Sequence, residues 1–250
     1  MKLGLIGAGN MASALARGIG EPVLVHDIDA PKAETLAAEL GGEAVSADRV
    51  ADEADVVVLC HKPQQLAEVA QQITPRAIAS ILAATTTTQI EQAYPDTPVY
   101  RFIPNIPAEV RKGMLCYVPG KLAGEGPETE LLELFGRAGT ILRLDQEPLM
   151  EPAMALMSCG PAFMALVAES FAEAGTEHGL APGAAMRMAV ETMGGTAAYL
   201  AANDWDGPAL RRRVATPGGA TERGLIRLEE EGLGRVVRSA VEAVVEGTRR

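Results

Sequence analysis

Apolar residues follow two patterns along the first part of the chain. Short continuous runs occur at residues 3–6, 22–26, 56–60, 77–83, 98–102, 114–118 and 140–144. Runs of this length are typical of parallel strands that are covered on both faces of a sheet. Helical spacing lies between them, at residues 31–40, from 64 to about 73, and at 127–138. The alternation predicts an α/β fold with a doubly wound, mainly parallel sheet.

The pattern changes after about residue 145. Strand-like runs stop, and helical spacing follows at residues 148–157, 161–178, 182–202, 208–214, 220–231 and 234–247. Prolines near the starts of several segments, and glycines after their ends, fit helix boundaries. We therefore predict two domains, residues 1–145 with the sheet and residues 146–250 built only of helices.

The helical domain is rich in Ala, Met and Gly, which allow helices to approach closely. We expect it to pack against a second copy of the chain. A buried core within one chain is the alternative explanation for the same residues.

The first apolar run leads directly into a glycine turn, Gly7-Ala8-Gly9-Asn10-Met11-Ala12. A strand followed by G-x-G-x-x-A and a helix is a fingerprint of dinucleotide binding. Gly7 permits the tight turn, and Gly9 lets the backbone approach a pyrophosphate. The N–H groups of the helix that starts near Asn10 then face the phosphates. A purely structural turn is the alternative.

Asp27 lies about 20 residues beyond Gly7, at the end of the second predicted strand, where an acidic side chain can bind a ribose 2′-OH. The same charge would repel a 2′-phosphate, and the nearby bases are only Lys32 and Arg49. We therefore expect NAD(P)H as the cofactor, with NADH favoured over NADPH. An ordinary turn aspartate is the alternative for Asp27. Asp29 is expected to cap the helix that follows.

The composition argues against several classes of function. A net charge of −11 over 250 residues predicts no nucleic-acid partner. The three cysteines lack C-x-x-C spacing and the three histidines lack paired spacing, so we expect no metal site. Scattered cysteines fit a reducing cytoplasm. No basic leader precedes the first strand and no apolar run approaches membrane length, so we expect a cytoplasmic protein without membrane contact.

A second glycine turn, Thr216-Pro217-Gly218-Gly219-Ala220-Thr221, lies between two predicted helices of the second domain. Two glycines before a helix expose backbone N–H groups that suit a carboxylate, and Thr216 and Thr221 add hydroxyl groups. A simple connection between helices, capped by one of the threonines, is the alternative.

Together these motifs resemble the Δ1-pyrroline-5-carboxylate reductase family over nearly the whole chain. The family pattern is a glycine turn with G-N-M, then V-K-P, R-x-M-P-N-x-P, G-P-A and S-P-G-G-x-T. This chain has, in the same order, residues 7–12, His61-Lys62-Pro63, Arg101-Phe102-Ile103-Pro104-Asn105-Ile106-Pro107, Gly160-Pro161-Ala162 and residues 216–221. The resemblance implies an N-terminal Rossmann-type domain and a C-terminal all-helical dimerisation domain. It also implies a homodimer, which in this family often assembles further into a decamer.

The resemblance also implies roles for individual residues. Cofactor-binding positions are Gly7, Ala8, Gly9, Asn10, Met11, Asp27, Cys60, His61, Lys62, Pro63, Ala83 and Asn105. Positions that would hold a carboxylate on an imine substrate are Thr216, Gly218, Gly219, Ala220 and Thr221. Thr221 is the one expected catalytic residue, since its hydroxyl would lie near the ring nitrogen and hydrogen-bond to it or help protonate it.

The chain departs from the family pattern near the implied site. Met157 and Ser158 stand where the family has a polar and a small residue, and Arg111 stands where glycine is common. Thr85-Thr86 corresponds to the family's Ala-Gly pair, and Ile106 to its usual Thr. The expected activity is reduction of 1-pyrroline-5-carboxylate to L-proline by hydride transfer. The alternatives are a divergent paralogue that reduces another imine or a keto acid, and an inactive NAD-binding regulatory protein.

Overall fold

A computed structural model describes residues 1–248 of the chain. The chain forms two compact units, one spanning Met1–Pro161 and a second that begins at Ala162. By spatial contacts, residues 146–161 therefore belong with the first unit. The functional boundary between residues 145 and 146 stays a prediction.

Within the described residues, the first unit contains an eight-stranded sheet with strands in the order β3-β2-β1-β4-β5-β6-β7-β8. The strands are β1 (Leu3–Ile6), β2 (Val23–His26), β3 (Glu43–Ala44), β4 (Val56–Leu59), β5 (Ile78–Ser80), β6 (Val99–Ile103), β7 (Gly113–Pro119) and β8 (Gly139–Arg143). Neighbouring strands are parallel except for β6 and β7, which are antiparallel. The predicted α/β fold with a mainly parallel sheet is confirmed.

The helices of this unit cover the two faces of the sheet. They are α1 (Asn10–Ile19), α2 (Ala30–Leu40), α3 (Ala47–Glu53), α4 (Leu66–Gln72), α5 (Thr87–Ala93), α6 (Glu128–Phe135) and α7 (Met150–Ala153). Along β4, Val56 and Val58 pack into one apolar cluster while Val57 and Leu59 pack into the other. Burial on both sides explains why this strand is a continuous apolar run in the sequence.

Three short elements have no counterpart among the sequence predictions. The edge strand β3 is two exposed residues, and α3 and α5 have seven residues each. The predicted strand 77–83 is shorter in the structure, where β5 has three residues. The predicted helix 148–157 is a 3₁₀ turn, the short helix α7, and a π-helical turn at Met154–Ser158.

The described residues of the second unit form helices and connecting turns, without strands. The helices are α8 (Gly160–Glu177, which begins at the end of the first unit), α9 (Pro182–Ala201), α10 (Gly207–Val214), α11 (Ala220–Glu230) and α12 (Leu233–Thr248). Among its described residues, the buried side chains are those of Ala168, Ala172 and Ala185. Large apolar side chains, including Phe171, Met188 and Trp205, are exposed. A buried core within one chain therefore does not account for the apolar residues of this unit.

One helical stretch in the described part of the chain is long and apolar enough to cross a membrane, judged by length and composition alone. It is the 31-residue stretch Glu147–Glu177, which includes α7 and α8. The expectation that no segment approaches membrane length is therefore wrong for this stretch. A helix whose apolar face packs against another protein passes the same test.

Candidate active site

A cavity of about 660 Å³ opens in the first unit at the carboxyl ends of β1, β2, β4 and β5. Ligands bind at this edge in open α/β sheets, and the volume suits a small-molecule ligand. The lining residues include nine of the predicted cofactor positions: Gly7, Gly9, Met11, Asp27, Cys60, His61, Lys62, Pro63 and Ala83. Ala8, Asn10 and Asn105 are not among its lining residues.

The glycine turn forms the floor of this cavity. Gly7 has a φ of +111°, and a Cβ atom there would lie 2.7 Å from the carbonyl group of Cys60, so both conformation and space require glycine. Gly9 occupies the N-cap position of α1, and a Cβ atom there would meet nothing within 4 Å. Gly9, Met11 and Ala12 line the cavity, so the start of α1 borders the space where an anion site at a helix N-terminus would lie.

The Asp27 carboxylate joins the end of β2 to this turn. Its Oδ2 accepts a hydrogen bond from the Ala8 N–H at 2.6 Å, and its Oδ1 accepts one from the Asp29 N–H at 2.8 Å. Each oxygen keeps a second lone pair, so the carboxylate can still accept from a ribose hydroxyl. Asp27 thus shapes the glycine turn in addition to its predicted role.

Asp29 is at the N-cap position of α2 as predicted, but its side chain makes no capping hydrogen bond. Instead it forms an ion pair with Lys32 Nζ at 2.9 Å. The charge of Lys32 is therefore matched by Asp29, and Asp27 leaves this end of the cavity negative.

The end of β4 contributes two uncharged side chains, Cys60 and His61, and the cation of Lys62 to the cavity wall. Burial raises the pKa of the Cys60 thiol, which stays protonated. His61 Nδ1 lies 2.9 Å from the Lys62 carbonyl oxygen. Because a carbonyl only accepts, Nδ1 carries the proton in the neutral ring, and Nε2 is an acceptor. Nε2 is buried and has no partner among the described residues, and burial lowers the pKa of His61.

The loop after β5 carries the cavity wall into α5. Ala83 lines the cavity, and Ala84 adopts a left-handed conformation with a φ of 51°. Thr85 is buried and donates its hydroxyl to the Ala83 carbonyl at 3.1 Å, while Thr86 caps α5 in a capping box with Gln89. The left-handed backbone at Ala84 is one that glycine adopts more readily than alanine. The correspondence of the family's Ala-Gly pair with Thr85-Thr86 stays a prediction.

Asn105 lies apart from the cavity, with both ends of its side chain bonded to the protein. Its Oδ1 accepts from the Met114 N–H at 2.9 Å, and its Nδ2 donates to the Met157 carbonyl at 2.9 Å. Ser158 donates its hydroxyl to the Pro104 carbonyl at 3.2 Å. Met157 and Ser158 thus both contact the segment Pro104–Asn105 through part-buried hydrogen bonds, and a cofactor role for Asn105 stays a prediction.

Arg111 also has a structural explanation. Its φ of 58° is left-handed, a conformation that favours glycine. The guanidinium Nε donates to the Gly18 carbonyl at 3.1 Å, a bond that glycine could not make.

The second glycine turn lies within the helical unit and is exposed. Gly218 has a φ of +72°, and its N–H donates to Glu222 Oε2 at 2.6 Å. The Gly219 N–H donates to the Thr216 carbonyl at 2.9 Å, and a Cβ on Gly219 would lie 2.6 Å from Thr216 Oγ1. The two glycines thus shape the turn, and their N–H groups are already engaged. The donors that remain open are the first N–H groups of α11, which begins at Ala220.

Several lining residues of the cavity escape sequence reasoning. Ile28 projects at the mouth beside Asp27, and Gln65, Glu68 and Gln72 line the cavity from the segment of α4. The spacing of the last three by three and four residues is a helical-face signal that could have found them. Within residues 1–248, no group of three or more His, Cys, Asp or Glu side chains could hold a metal ion.

Comparison with known proteins matches both parts of the chain. Residues 147–250 match the family model "Pyrroline-5-carboxylate reductase dimerisation", and residues 2–84 match "NADP oxidoreductase coenzyme F420-dependent". Pyrroline-5-carboxylate reductase of Pseudomonas aeruginosa is 31% identical over 97% of this chain and 93% of its own length. Pyrroline-5-carboxylate reductase 3 of Danio rerio is 32% identical over 100% of this chain and 91% of its own length.

A solved structure gives the same picture for the fold. The crystal structure of Plasmodium falciparum pyrroline carboxylate reductase with NADP bound aligns with a TM-score of 0.87 and 27% identity. The alignment covers 99% of this chain and 97% of that one. The similarity therefore includes both the sheet-containing part and the helical part of the chain.

Proposed function

Because the chain belongs to the pyrroline-5-carboxylate reductase family, we propose that it reduces 1-pyrroline-5-carboxylate to L-proline with a nicotinamide dinucleotide. The observation that carries the proposal is the match to such reductases over nearly the full length of the chain. The glycine turn of residues 7–12 supports the proposal. A side chain would not fit at Gly7, and the space beside Gly9, at the start of α1, is free for a ligand.

The residues of the chain orient two reactants and hold charge. The reduced nicotinamide, when bound, supplies the hydride that goes to the carbon of the C=N bond. The N–H groups at the start of α1 hold the pyrophosphate, and Asp27 holds the adenosine ribose. An iminium carbon is already electrophilic, so no strong acid is needed. Orientation of this kind is worth about 7–11 kcal/mol in good intramolecular reactions.

We place the substrate carboxylate on the open N–H groups of Ala220 and Thr221, with the Thr216 hydroxyl as a further donor. Gly218 and Gly219 give the turn its shape, because their own N–H groups bond within the chain. The Thr221 hydroxyl, which is exposed, then holds or helps to deliver the proton at the ring nitrogen.

The role of Thr221 is tested by replacing it in two ways. Thr221→Ala removes the hydroxyl, and we expect kcat to fall about 10- to 100-fold, the range for a hydrogen bond to a charged group. Thr221→Ser keeps the hydroxyl and should stay within a few-fold of wild type. The measurement is loss of NADH absorbance with pyrroline-5-carboxylate as substrate. If Thr221→Ala turns over as fast as wild type, Thr221 has no part in the mechanism.

The same assay separates the proposed function from its alternatives. Turnover of another imine or of a keto acid in place of pyrroline-5-carboxylate would identify a divergent paralogue. Tight binding of NADH without turnover of any of these compounds would identify a binding or regulatory protein.

We also propose that NADH is preferred over NADPH, although the Plasmodium relative holds NADP. The support is the unpaired charge of Asp27 beside the Asp29–Lys32 ion pair at the end of β2. Wild-type kcat/KM should be at least about tenfold higher with NADH, which corresponds to about 1.4 kcal/mol. Asp27→Asn keeps an acceptor for the Ala8 N–H but loses the charge. We therefore expect it to reduce the ratio of kcat/KM with NADH to kcat/KM with NADPH. The control is Asp96→Asn, at an exposed residue that does not line the cavity, and an NADPH preference in wild type would contradict the proposal.

For assembly and location, we propose a homodimer formed through the helical unit, with a higher oligomer such as a decamer built from it. The apolar side chains that this unit leaves exposed support association, as does its match to a dimerisation domain. The three cysteines are free, which supports a cytoplasmic location. The substrate is a small imine carboxylate.

A further inference from the structure

In the first unit an ion pair joins the buried Arg101 to the partly buried Glu147, and neither residue lines the cavity. Glu147 Oε1 accepts from the Thr87 N–H at 2.7 Å and from Arg101 Nη1 at 2.8 Å, and Glu147 Oε2 accepts from the Thr87 hydroxyl at 2.8 Å. The Arg101 side chain is 4% exposed and that of Glu147 is 24% exposed. We call these three residues the Glu147 clamp.

The clamp fixes the first residue of α5 at two points. Thr87 is bonded through both its backbone N–H and its hydroxyl to one carboxylate 60 residues further along the chain. Arg101 extends from β6, and its Nε is buried without a partner among the described residues. Its charge therefore depends on Glu147, and loss of Glu147 leaves an uncompensated buried charge on Arg101.

Only three residues separate Thr87 from the cavity wall at Ala83, and the conformation of each is constrained. Ala84 is held in a left-handed conformation, Thr85 is buried and bonded to the Ala83 carbonyl, and Thr86 is fixed in a capping box. A shift of Thr87 therefore moves Ala83. The strand order places this loop, after β5, at the end of the cavity opposite Asp27. With the adenosine ribose at β2 and the pyrophosphate at β1, the nicotinamide end lies toward β4 and β5.

We propose that Glu147 is a positioning residue for the hydride-donating end of the cofactor, acting through Thr87 and the loop Ala83–Thr86. The inference rests on the proposed binding of a nicotinamide dinucleotide. The Glu147 clamp holds the loop in the shape that sets the nicotinamide, while the adenosine and pyrophosphate contacts come from other elements. Loss of the clamp therefore affects the hydride-transfer step more than the overall affinity for the cofactor.

The experiment compares Glu147→Gln and Glu147→Ala with a matched control. Glu91→Gln also removes a carboxylate that accepts a backbone N–H, that of Lys121 at 2.6 Å, and it lies on α5 itself. We expect the Glu147 variants to lower kcat at least about tenfold while the Kd of ADP-ribose stays within about twofold of wild type. The fluorescence of the nicotinamide in bound NADH, which needs no substrate, should change as well. Glu91→Gln should leave all three quantities within about twofold.

A second pair of variants distinguishes a loss of positioning from a loss of folding. Thr87→Val removes the hydroxyl bond but keeps the backbone N–H, and Thr87→Ser should recover most of the activity that Thr87→Val loses. If the variants only lower the Tm, and leave kcat and the fluorescence of bound NADH at wild-type values, the positioning role is overturned.

Failure of the proposed activity gives a different result. If wild type binds NADH but does not reduce pyrroline-5-carboxylate, the fluorescence and ADP-ribose measurements still test Glu147. If wild type binds neither NADH nor ADP-ribose, both the cofactor assignment and the role of Glu147 are overturned.

Discussion

Gly18 shows how one residue without a side chain allows α1 to pack against the rest of the first unit. A Cβ atom there would overlap the carbonyl oxygen of Ala108 and would lie 2.9 Å from the Ala138 Cβ. Both neighbours are fully buried, so they have little freedom to move away. Close approach of backbone, rather than local conformation, is what requires glycine inside this helix.

Gly18→Ala is therefore expected to destabilise the protein although alanine is the better helix former. Overpacking in a core costs about 1–3 kcal/mol, and the overlap with a backbone oxygen places Gly18→Ala at the upper end of that range, above the gain of about 1 kcal/mol in helix propensity. The control is Gly136→Ala, where the backbone is helical, the site is exposed and a Cβ meets nothing within 4 Å. Urea denaturation should show a lower free energy of unfolding for the first variant and no decrease for the second. Equal values for the two variants would contradict the packing argument.

For single residues, the sequence predicts which positions belong to the site more reliably than it predicts their hydrogen bonds. The glycine spacing identifies the turn, and the distance from Gly7 along the chain identifies Asp27. Its bond to the Ala8 N–H depends on the pairing of β1 with β2, which aligns Ile6 with His26. The bond of Glu222 to the Gly218 N–H depends on the first turn of α11. Neither could be derived from residue types and spacing alone.

Among the elements, α5 depends most on a partner distant in sequence. It has seven residues and begins in a run of threonines, so its intrinsic helix preference is low. Its start is stabilised by the capping box of Thr86 and by the Glu147 carboxylate on Thr87. The residues of the capping box are close together in the sequence, so the box can be predicted. The contact with Glu147 cannot, because no pattern near Thr87 indicates it.

The Glu147 clamp makes stability depend on pH in one direction. Burial by itself raises the pKa of Glu147, but the hydrogen bonds from Thr87 and Arg101 and the Arg101 charge outweigh it and lower the pKa below the usual value of 4.5. A carboxyl group whose pKa is lowered on folding stabilises the protein fully above its unfolded pKa. That stabilisation is lost as the pH falls through the folded pKa.

We therefore expect wild type to exceed Glu147→Gln in free energy of unfolding near pH 7, by about 1.5–3 kcal/mol for hydrogen bonds to a charged group. The difference should shrink as the pH falls below about 4.5. Denaturation curves at a series of pH values measure it. A difference that stays constant down to acid pH would show that the carboxylate charge is not what stabilises α5.

Sequence patterns predict elements well where burial is two-sided or the helix is long. The strands β1, β2 and β4 are predictable because both faces are covered, and α8, α9 and α12 because they have 16 to 20 residues each. The elements that escape prediction lack such a pattern. β3 is Glu-Ala, α3 is mostly polar, and the break into a π-helical turn at Met154–Ser158 has no local signal.

For the whole molecule, the contrast between the two units matters most. The first unit buries an apolar cluster on each face of its sheet, whereas the described helices of the second bury only alanines. Phe171, on α8, is 59% exposed. A monomer would present these side chains to water, and oligomers bury such patches at their interfaces.

Phe171→Glu is expected to weaken or prevent self-association, because it places a charge on an apolar face. Val110→Glu makes a comparable change at a side chain that is 70% exposed in the first unit, and it should leave association unchanged. Sedimentation velocity of both variants and wild type gives the oligomeric state. If Phe171→Glu sediments as wild type does, α8 is not part of the interface.

Because the helical unit buries so few side chains, we expect the sheet-containing unit to fold before the helical unit dimerises. For the same reason, we expect the activity of the enzyme to depend on its concentration. The sheet-containing unit can complete its core from its own residues, while the helices after Ala162 must find a second chain before their apolar faces leave water. The turn before α11, which we propose binds the substrate carboxylate, belongs to the unit whose apolar faces are covered only on dimerisation. Specific activity should therefore fall when the enzyme is diluted below the dissociation constant of its dimer, and it should recover with a lag when the protein is concentrated again.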